Sequence, residues 1–517
     1  MIKNFINKFF LILIFTFWIQ SLFSAEIKDN KFYIDVEILP NANQIHLKSE
    51  NDFIISEIDS PFQLEFSNTE LSIQLTEKIE ISPYWRVGIK EFSEVSDAEK
   101  FLNNFPECFL EPTSEIIYKD KKLKQANSYS IYFKKDFESY DSAKSVCEMD
   151  GWVEERYIYS DSEVLVYDIK NDKEYFLNAP LNIISNNPIT VFQIPKTNFW
   201  KPQKFVTRSY DGNLKVQLNQ LGKMNLISNV ELENYIAGVL PNEIGYNAPI
   251  EALKTQAITA RSEALYKIIH KHHKDDNFDL CASVHCQVYS GLTSVTEKVR
   301  KAVEETAYLV GIYNSEIINA VYSTNCGGIT ENSSNIWGGK SVPYLTSIYD
   351  GKSGYKIDLT NENKAKQWIS NNQKVFCNTE SEEGWIKNSY KWQKEFSKKE
   401  LEEHLNSIAD LGKLKNIKIQ KRGNSGRVLE ITIFGSKNDI RLNNELQIRQ
   451  TFGGLRSALF FIEIKKSKVI IYGKGSGHGV GMCQVGAIGM AKQGYSAKEI
   501  LSHYYTGAEI AKIKLSN

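Results

Sequence analysis

The feature that most constrains the fold is a helical pattern of twenty residues that begins directly after Pro249. Proline suits the first turn of a helix, where its missing N–H is not needed. The following segment, IEALKTQAITARSEALYKII at 250–269, repeats its apolar residues with the helical period over about five turns. We therefore predict a long helix that packs through small residues against a neighbouring element. Its predicted apolar face consists of Ile250, Leu253, Ala257, Ala260, Ala264, Leu265 and Ile268.

Most other segments alternate apolar and polar residues, which is typical of half-buried strands. The alternation is clear at 30–80 and returns at 155–230 between Pro and Asn turns. A chain of 517 residues also suggests about three domains, so we predict an α+β multidomain protein. The predicted divisions are a signal peptide at 1–25, a β-rich module at 26–83, a small α/β domain at 84–155, a β-rich connecting module at 156–204 and a larger mixed α+β domain at 205–517.

The balance of charges argues against a nucleic-acid-binding protein. The chain has 62 basic and 63 acidic residues, whereas electrostatically driven binding to nucleic acid needs a basic face. Hydrophobic residues make up 42% of the chain, which is enough for each predicted domain to bury a core.

The N-terminus has the layout of a secretory signal peptide. Two lysines precede an uncharged run at 9–23, and the small residues Ser24 and Ala25 follow it. The run is shorter than the roughly 20 residues that a membrane-spanning helix needs. Phe23 is bulky where cleavage favours a small residue, so an uncleaved membrane anchor remains an alternative. Both interpretations predict export.

A weak internal repeat predicts the small α/β domain. The segment RVGIKEFSEVSDAEKFLNNF at 86–105 is similar to IYFKKDFESYDSAKSVCEMD at 131–150, and each copy reads as a strand, a polar turn and a helix. Two copies predict helices on one side of an antiparallel sheet. The string WRVGIKEFSEVSDAEKFL resembles the opening of a SPOR domain, a family that binds peptide-free peptidoglycan strands. A generic α+β spacer is the alternative.

An acid precedes the predicted long helix, and an arginine lies within it. Glu243 lies in the stretch LPNEIGYNAP, which we predict to be a short polar turn. Solvated surface, a helix cap and a catalytic group are all open interpretations of this acid. Arg261 lies on or beside the alanine stripe, either as a surface side chain whose stem covers apolar residues or as a group that positions a carboxylate.

Histidines and cysteines are concentrated in HKHHKDDNFDLCASVHCQVYSG at 270–291. Cys and His at such local spacings can form a tetrahedral zinc site, and a closed four-ligand site is structural rather than catalytic. A disulfide between the two cysteines and a solvated loop are the alternatives. The predicted ligands are His273, Cys281, His285 and Cys286, with His272 as an alternative to His273.

Two glycine-containing segments predict a ligand cleft. The first, YGKGSGHGVGMCQVGAIGMAKQGYSAKEILSHYYTG at 472–507, is neither a dinucleotide fingerprint nor a P-loop, but its glycines allow close backbone approach. The second, AVYSTNCGGITENSSNIWGG at 320–339, predicts a loop that binds substrate hydroxyls. Nucleophilic catalysis by Ser323 or Cys326 is disfavoured because no nucleophile elbow is present. The predicted cleft residues are Arg261, Ser323, Thr324, His478, Gln484 and Tyr505.

Together these segments resemble the stage II sporulation protein D family, in order, from about residue 208 to residue 513. The resemblance rests on LENYIAGVLPNEIGYNAPIEALKTQAITARSEAL, HCQVYSG, YSTNCGGITENSSNIWGGKSVPYL and GSGHGVGMCQVGAIGMAKQGYSAKEILSHYYTGAEI. It implies a peptidoglycan lytic transglycosylase that acts on glycan strands without stem peptides, with Glu243 as acid/base. It also implies that some members hold zinc near Cys281–Cys286, and that amidase enhancers share the domain. Gln287 and Tyr289, within HCQVYSG, are assigned to substrate binding.

A single glutamate is chemically sufficient for that reaction. Hydrolysis of a glycoside ordinarily uses two carboxylates, but in a lytic transglycosylase the muramic acid's own 6-hydroxyl attacks the anomeric carbon. The glutamate should have a raised pKa, which the flanking Leu240, Pro241 and Ile244 favour. We expect peptidoglycan strands and a cell-wall amidase as partners, and a location in the periplasm or cell wall, at the division septum. A non-catalytic amidase enhancer and a zinc hydrolase are the alternatives.

Overall fold

The computed structural model describes most of the chain between residues 26 and 516. The described ranges are 26–28, 31–58, 60–76, 81–92, 95–103, 105, 108–111, 115–118, 121–122, 129–135, 137–147, 152–159, 163–196, 204–273, 276–352, 357–380 and 383–516. The predicted signal peptide at 1–25 lies outside the described residues. Within the described residues, no helix combines the length and apolar character that crossing a membrane requires.

Strands dominate the first half of the chain, and helices become frequent after residue 230. The strands up to residue 231 are β1 Glu26–Lys28, β2 Lys31–Ala42, β3 Gln44–Glu57, β4 Gln63–Leu75, β5 Ile81–Phe92, β6 Cys108–Glu111, β7 Glu115–Tyr118, β8 Lys121–Lys122, β9 Tyr129–Phe133, β10 Trp152–Tyr159, β11 Glu163–Asp168, β12 Lys173–Asn178, β13 Leu181–Ile184, β14 Ile189–Lys196, β15 Lys204–Tyr210, β16 Asn213–Leu218 and β17 Met224–Glu231. The later strands are β18 Leu280–Cys281, β19 Leu309–Tyr313, β20 Glu316–Ile317, β21 Tyr322–Ser323, β22 Lys391–Ser397, β23 Asn416–Arg422, β24 Val428–Phe434, β25 Ile440–Leu442, β26 Phe460–Ile464, β27 Lys468–Lys474, β28 Met482–Cys483, β29 Glu509–Lys512 and β30 Lys514–Ser516.

The helices are mostly short, and one of them is clearly longer than the rest. They are α1 Val95–Leu102, α2 Tyr140–Val146, α3 Leu232–Glu243, α4 Ile250–Ile269, α5 Glu297–Glu304, α6 Ser333–Trp337, α7 Glu362–Ser370, α8 Gly384–Lys387, α9 Lys398–Ile408, α10 Glu445–Thr451, α11 Gln484–Lys492 and α12 Ala497–Tyr504. The mixture of helices with several sheets confirms the predicted α+β multidomain class.

One large sheet joins strands that the sequence assigned to different modules. Its main path runs β1-β2-β17-β16-β13-β3-β4-β11-β12, and β14, β15 and β18 pair beside it. Val36 of β2 pairs with Ser228 of β17, although nearly 200 residues separate them. The sheet therefore crosses the boundaries predicted at 83, 156 and 204, because each of these segments supplies the backbone partners that another one needs.

The region of the internal repeat forms its own four-stranded antiparallel sheet, in the order β10-β5-β9-β6. In both copies a strand is followed by a helix, β5 by α1 and β9 by α2. Ala98 and Ala143, which occupy equivalent positions in the two copies, are both fully buried. Small buried residues at these positions let each helix lie close to the sheet. The same packing requirement explains why both copies of the repeat have alanine there.

Helix α4 forms at 250–269 as predicted, but it is buried on more than one face. Every residue from Thr255 to Leu265 is buried, including the polar ones. The reason is that α3, α5, α11, α12 and β19 all pack against this helix. The apolar pattern alone indicated one buried face, because it records the polarity of the side chains and not the number of neighbours.

A separate core lies between residues 391 and 471. It is built from the sheets β22-β27-β26 and β23-β24-β25 together with α9 and α10. Leu401, Phe452, Phe460 and Ile471 are fully buried in it. The predicted domain at 205–517 therefore contains two hydrophobic cores, this one and the core that surrounds α4.

Candidate active site

Glu243 is the last residue of α3, and it does not lie in a turn as the sequence predicted. The helix continues through Pro241, and the residues before this proline, from Tyr235 to Leu240, are buried. The next helix, α4, has Pro249 at its N-cap and no side-chain hydrogen bond there. Glu243 therefore does not cap α4, and its side chain is available for another role.

The carboxylate of Glu243 is enclosed by two later segments of the chain. Its Oε1 accepts the Val288 N–H at 3.0 Å, and its Oε2 accepts the Gln484 side-chain amide at 3.4 Å. Burial, helped by the negative charge of Glu263, raises the pKa of Glu243 to about 7. Leu240 and Ile244, on either side of the acid, are both buried. A carboxyl group with such a pKa can give and take a proton near neutral pH.

Glu263 is a second acid near the site that the sequence did not reveal. It lies on α4, is almost fully buried, and forms an ion pair with Lys267 at 3.0 Å. Its Oε2 lies 3.5 Å from the amide nitrogen of Gln287. The next residue in the chain is Val288, whose N–H donates to Glu243. The sequence shows Glu263 only as one polar residue of a long helix. Its proximity to the C-terminus of α3 depends on the packing of the two helices.

Gln287 links the helices around the two acids. Its amide nitrogen donates to the Ala260 carbonyl at 3.3 Å and to the Tyr322 hydroxyl at 3.0 Å, and its Oε1 accepts the Tyr235 hydroxyl at 3.1 Å. The side chain is 1% exposed. Gln287 thus fixes the segment that carries the Val288 N–H. The sequence assigned Gln287 to substrate binding, but in this conformation its side chain contacts only other residues of the protein.

Arg261 is fully buried and pairs with Glu233 of α3, where the sequence predicted contact with substrate. Its Nε and Nη2 donate to the two carboxylate oxygens at 2.8 and 2.5 Å, and its Nη1 donates to the Leu309 carbonyl at 2.8 Å. The interpretation that Arg261 positions a carboxylate is therefore the one that fits. The carboxylate belongs to the protein itself.

Two predicted binding tyrosines are also interior residues. Tyr289 packs its ring against Tyr210 and Tyr235, with centroids 5.7 and 5.0 Å away, and Gly238 leaves room for it on α3. Tyr505 is fully buried, and its hydroxyl donates to the Val321 carbonyl at 2.9 Å. Both are corrections of the prediction: in each case the ring packs among elements that meet in the interior, and it does not line a cleft.

The glycine-rich segment lies against the loop that contains Ser323 and Thr324. Strand β21 pairs in parallel with β28, which places Ser323 beside Cys483. The Ser323 hydroxyl accepts the Gly479 N–H at 3.1 Å, and the Thr324 carbonyl accepts the Val485 N–H at 3.0 Å. These bonds bring the start of α11, and with it Gln484, to Glu243. Ser323, Thr324 and Gln484 therefore belong to one neighbourhood with the acid.

His478 is a neutral histidine beside an exposed tryptophan. Burial, together with Arg427 and Arg449, lowers the pKa of His478 to about 3. Its Nδ1 accepts the Val480 N–H at 3.0 Å, so the neutral ring carries its proton on Nε2. Its ring centroid lies 5.0 Å from that of Trp337. The pair offers the aromatic face of Trp337, while the His478 ring also hydrogen-bonds the backbone of Tyr322.

A cluster of histidines and cysteines forms close to the acid. The Nε2 of His273 lies 3.1 Å from the Cys286 sulfur, and the Nδ1 of His285 lies 3.6 Å from the Cys281 sulfur. His272 joins them, and the two thiols are not disulfide-bonded. The ligand atoms of His272, His273, His285 and Cys286 all lie within 4.8 Å of one another, which fits the donor set and the size of a tetrahedral zinc site, and Cys281 lies beside this group.

A cavity of about 860 Å³ connects this cluster with the neighbourhood of Glu243. Its walls include His285 and Cys281 of the cluster, Asn242, which precedes the acid in the chain, and Val288, whose N–H donates to it. A cavity of this size accommodates a sugar unit of a larger ligand.

The site and fold define a multidomain α+β protein with one glutamate of raised pKa at the end of a buried helix. A sequence model described as Stage II sporulation protein matches residues 220–313, and one described as Domain of unknown function (DUF8618) matches 331–481. The chain belongs to the stage II sporulation protein D family.

The similar proteins include named and unnamed relatives. An uncharacterised protein of Brachyspira hyodysenteriae is 32% identical over 290 residues, which covers 56% of this chain and 68% of the relative. The Amidase enhancer of Bacillus subtilis is 30% identical over 53% of this chain but only 40% of its own length. Stage II sporulation protein D of Bacillus amyloliquefaciens is 27% identical over 55% of this chain and 76% of its own length.

Proposed function

We propose that this protein is a lytic transglycosylase that cleaves the MurNAc–GlcNAc bond of peptide-stripped peptidoglycan and leaves 1,6-anhydroMurNAc ends. The observation that carries this proposal is the pKa of about 7 of Glu243, which burial raises from its ordinary value. Membership of the stage II sporulation protein D family supports the substrate class.

In the proposed reaction, Glu243 acts first as an acid and then as a base. The protonated carboxyl group gives its proton to the glycosidic oxygen while the bond from the anomeric carbon breaks and its electron pair stays on that oxygen. The carboxylate then accepts the proton of the muramic acid 6-hydroxyl as that oxygen bonds to the anomeric carbon. Glu243 ends protonated, and no water is consumed.

Glu263 has a supporting role in this proposal. A hydrolase would need a second carboxylate at the reacting carbon, but Glu263 is buried and paired with Lys267. Its charge favours the protonated form of Glu243 and so keeps the acid ready. Gln484 orients the same carboxyl group through its amide, and we propose Ser323, Thr324 and His478 as contacts for sugar hydroxyls.

The decisive experiment is digestion of peptide-free glycan strands by the wild-type protein and by Glu243→Gln. We expect wild type to release anhydro-ended fragments, which are lighter than hydrolysis products by one water, and the variant to release none. Glu304→Gln, an exposed glutamate on α5, serves as the matched control and should cleave normally. Reducing-end products from wild type would instead indicate hydrolysis, and equal products from Glu243→Gln would remove this residue from the mechanism.

Enhancement of an amidase is the second candidate function, because a relative 30% identical to this chain carries that name. In that case the protein would bind glycan strands without cutting them. Purified protein added to an N-acetylmuramoyl-alanine amidase on whole peptidoglycan should then raise peptide release, and Glu243→Gln should do so equally well. Enhancement that requires Glu243 would favour the transglycosylase.

We also propose that four of the five residues His272, His273, Cys281, His285 and Cys286 hold a structural zinc ion. Bound zinc would supply a fixed charge and four rigid bonds there. The segment 281–288 would then be held in place, and with it the Val288 N–H that contacts Glu243. A zinc hydrolase predicts that a chelator stops cleavage while the protein stays folded. A structural zinc predicts that cleavage and the cooperative unfolding transition are lost together.

The remaining proposals concern location. The predicted signal peptide supports export to the periplasm or cell wall, with attachment to the membrane only if the segment at 1–25 is not cleaved. The SPOR-like resemblance at 84–155 supports binding to peptide-free strands, and hence a place at the division septum. Pull-down of the protein on denuded glycan, with and without this segment, tests the glycan-binding part.

A further inference from the structure

Three thiols and one carboxylate meet in the interior, away from the histidine and cysteine cluster described above. They are the side chains of Cys326, Asp350, Cys377 and Cys483. Their ligand atoms all lie within 4.8 Å of one another, and none of the four residues is more than 1% exposed. Over 150 residues separate the first cysteine from the last in the sequence, so no local spacing predicted this group.

The separations suit a shared metal ion. The sulfurs of Cys326 and Cys377 lie 3.7 Å apart. Two thiolates bound tetrahedrally to zinc, each at about 2.3 Å, are about 3.8 Å apart. A disulfide requires about 2.05 Å. The two sulfurs are therefore placed as two corners of a zinc tetrahedron.

The other two ligands are already oriented by hydrogen bonds from the protein. The Cys483 sulfur accepts the backbone N–H groups of Cys326 at 3.2 Å and Gly486 at 3.3 Å. The Asp350 carboxylate accepts the Tyr504 hydroxyl at 2.6 Å and the Cys377 N–H at 2.9 Å. Such bonds behind the ligands are the usual way in which a protein fixes ligand direction and increases metal affinity.

The buried carboxylate also needs a positive charge. Among the described residues, the ion pair recorded for Asp350 is with the Nε2 of His503, 3.8 Å away, which holds a charge only when protonated. That nitrogen is itself buried and has no hydrogen-bond partner. An uncompensated carboxylate is costly in an interior, and coordination to a divalent cation offsets this cost.

We propose that Cys326, Asp350, Cys377 and Cys483 bind a zinc ion. The ion takes three thiolates and one carboxylate oxygen, which makes a closed, structural site. It ties the loop after β21 to the segments around Asp350 and Cys377 and to the start of α11. The residue after Cys483 is Gln484, which donates to Glu243. Zinc here therefore holds one of the two groups that orient the catalytic acid.

Metal content measures the proposal directly. The full chain, exported and purified without reductant or chelator, is analysed for zinc by mass spectrometry alongside Cys377→Ser and Asp350→Asn. We expect Cys377→Ser to contain one zinc fewer per chain than wild type, and Asp350→Asn to lose its zinc to a chelator faster. Cys147→Ser, outside both clusters, is the matched control and should keep the wild-type content. Unchanged zinc in Cys377→Ser would overturn the proposal.

A second measurement covers the case in which Cys377→Ser does not fold. The double variant Cys281→Ser/Cys286→Ser lacks the thiols of the other cluster but keeps this group intact. Loaded with cobalt(II), and with folding checked by circular dichroism, it should show thiolate-to-cobalt absorption in the near ultraviolet. Absence of that absorption, or a wild-type mass two hydrogens low with Cys326 and Cys377 joined in one peptide, refutes a zinc site.

Discussion

At the scale of single residues, the chemistry of Glu243 depends on its surroundings. The same side chain on an exposed loop would have an ordinary pKa and would be ionised at neutral pH. Here it ends a buried helix, contacts Val288 and Gln484, and lies near the charge of Glu263. The local sequence indicated an apolar setting, but the second carboxylate and both donors come from other segments.

The raised pKa of Glu243 predicts a pH-dependent stability. Because its folded pKa of about 7 exceeds the ordinary value of 4.5, the folded state binds the proton more tightly. This contribution is fully present below pH 4.5 and is lost as pH rises through 7. Glu243→Gln should therefore gain stability relative to wild type between about pH 5 and about pH 8, by at most about 3 kcal/mol. Urea unfolding at both pH values measures the difference, and a pH-independent difference would contradict the raised pKa.

Arg261 is predicted to act on stability, whatever its effect on activity. Arg261→Ala leaves Glu233 without its partner in a buried ion pair, which typically costs about 3–5 kcal/mol. Arg441→Ala, at an exposed position on β25, should cost less than about 0.5 kcal/mol. Chemical unfolding of the two variants provides the measurement. A wild-type stability for Arg261→Ala, accompanied by weaker substrate binding, would restore the original substrate-contact interpretation.

At the scale of elements, the repeat region is an insertion within a hairpin. Strand β4 ends at Leu75, which pairs with Val164 of the antiparallel strand β11. The Thr76 N–H also donates to the Glu163 carbonyl at 3.4 Å. The chain therefore leaves the large sheet and returns to it at adjacent positions, although 77–162 lies between them.

This geometry predicts that the insertion can be removed, and among the described strands outside it only the three-residue β30 loses a partner, β7. Replacing 77–162 by Asn-Gly closes the β4–β11 hairpin with the two-residue turn that suits antiparallel strands. We expect the shortened protein to unfold cooperatively and to keep cleaving peptide-free glycan, while binding to denuded strands weakens. Circular dichroism, cleavage and pull-down assays measure these properties. Unchanged pull-down would contradict a glycan-binding role for the insertion.

The glycine-rich segment predicts a contrast between two glycines that both have positive φ. A Cβ at Gly479, with φ of 75°, would meet the Arg427 guanidinium at 1.9 Å, whereas one at Gly494, with φ of 87°, would meet nothing within 4 Å. Gly494→Ala should cost about 1–2 kcal/mol for the backbone strain alone. Gly479→Ala should cost about 1–3 kcal/mol more because the guanidinium must move. Equal losses of stability for the two variants in thermal unfolding would show that the close approach of Arg427 to Gly479 does not add to the cost.

At the scale of the whole molecule, the large sheet makes the first and middle parts of the chain interdependent. Strands β16 and β17 pair with β13 and β2, which both precede residue 205. A fragment of residues 205–517 should therefore lack cooperative unfolding and aggregate, since β15, β16, β17 and β18 each lose a pairing partner. Coexpression with residues 26–204 should rescue it. A stable, monomeric fragment would show instead that the boundary near 205 separates independent domains.

Prediction from the sequence succeeded where the evidence is local. The helix at 250–269, the strand–helix units of the repeat and the alternating strands follow from patterns within a few residues. Prediction was less accurate where distant segments meet: Arg261 and Tyr505 were assigned to substrate but are interior residues. Patterns of side-chain polarity cannot distinguish a buried ion pair from a binding site, since both place a charge beside small or apolar residues.

The sequence by itself determined the mixed α+β class and the family, because the class follows from short-range periodicity and the family from contiguous motifs along the chain. Only the tertiary structure decided the pairing of β2 with β17, the raised pKa of Glu243 and the meeting of Cys326, Asp350, Cys377 and Cys483. These properties depend on contacts between residues far apart in the chain. Hydrogen bonds, burial and charge act through space, and the order of residues does not record them.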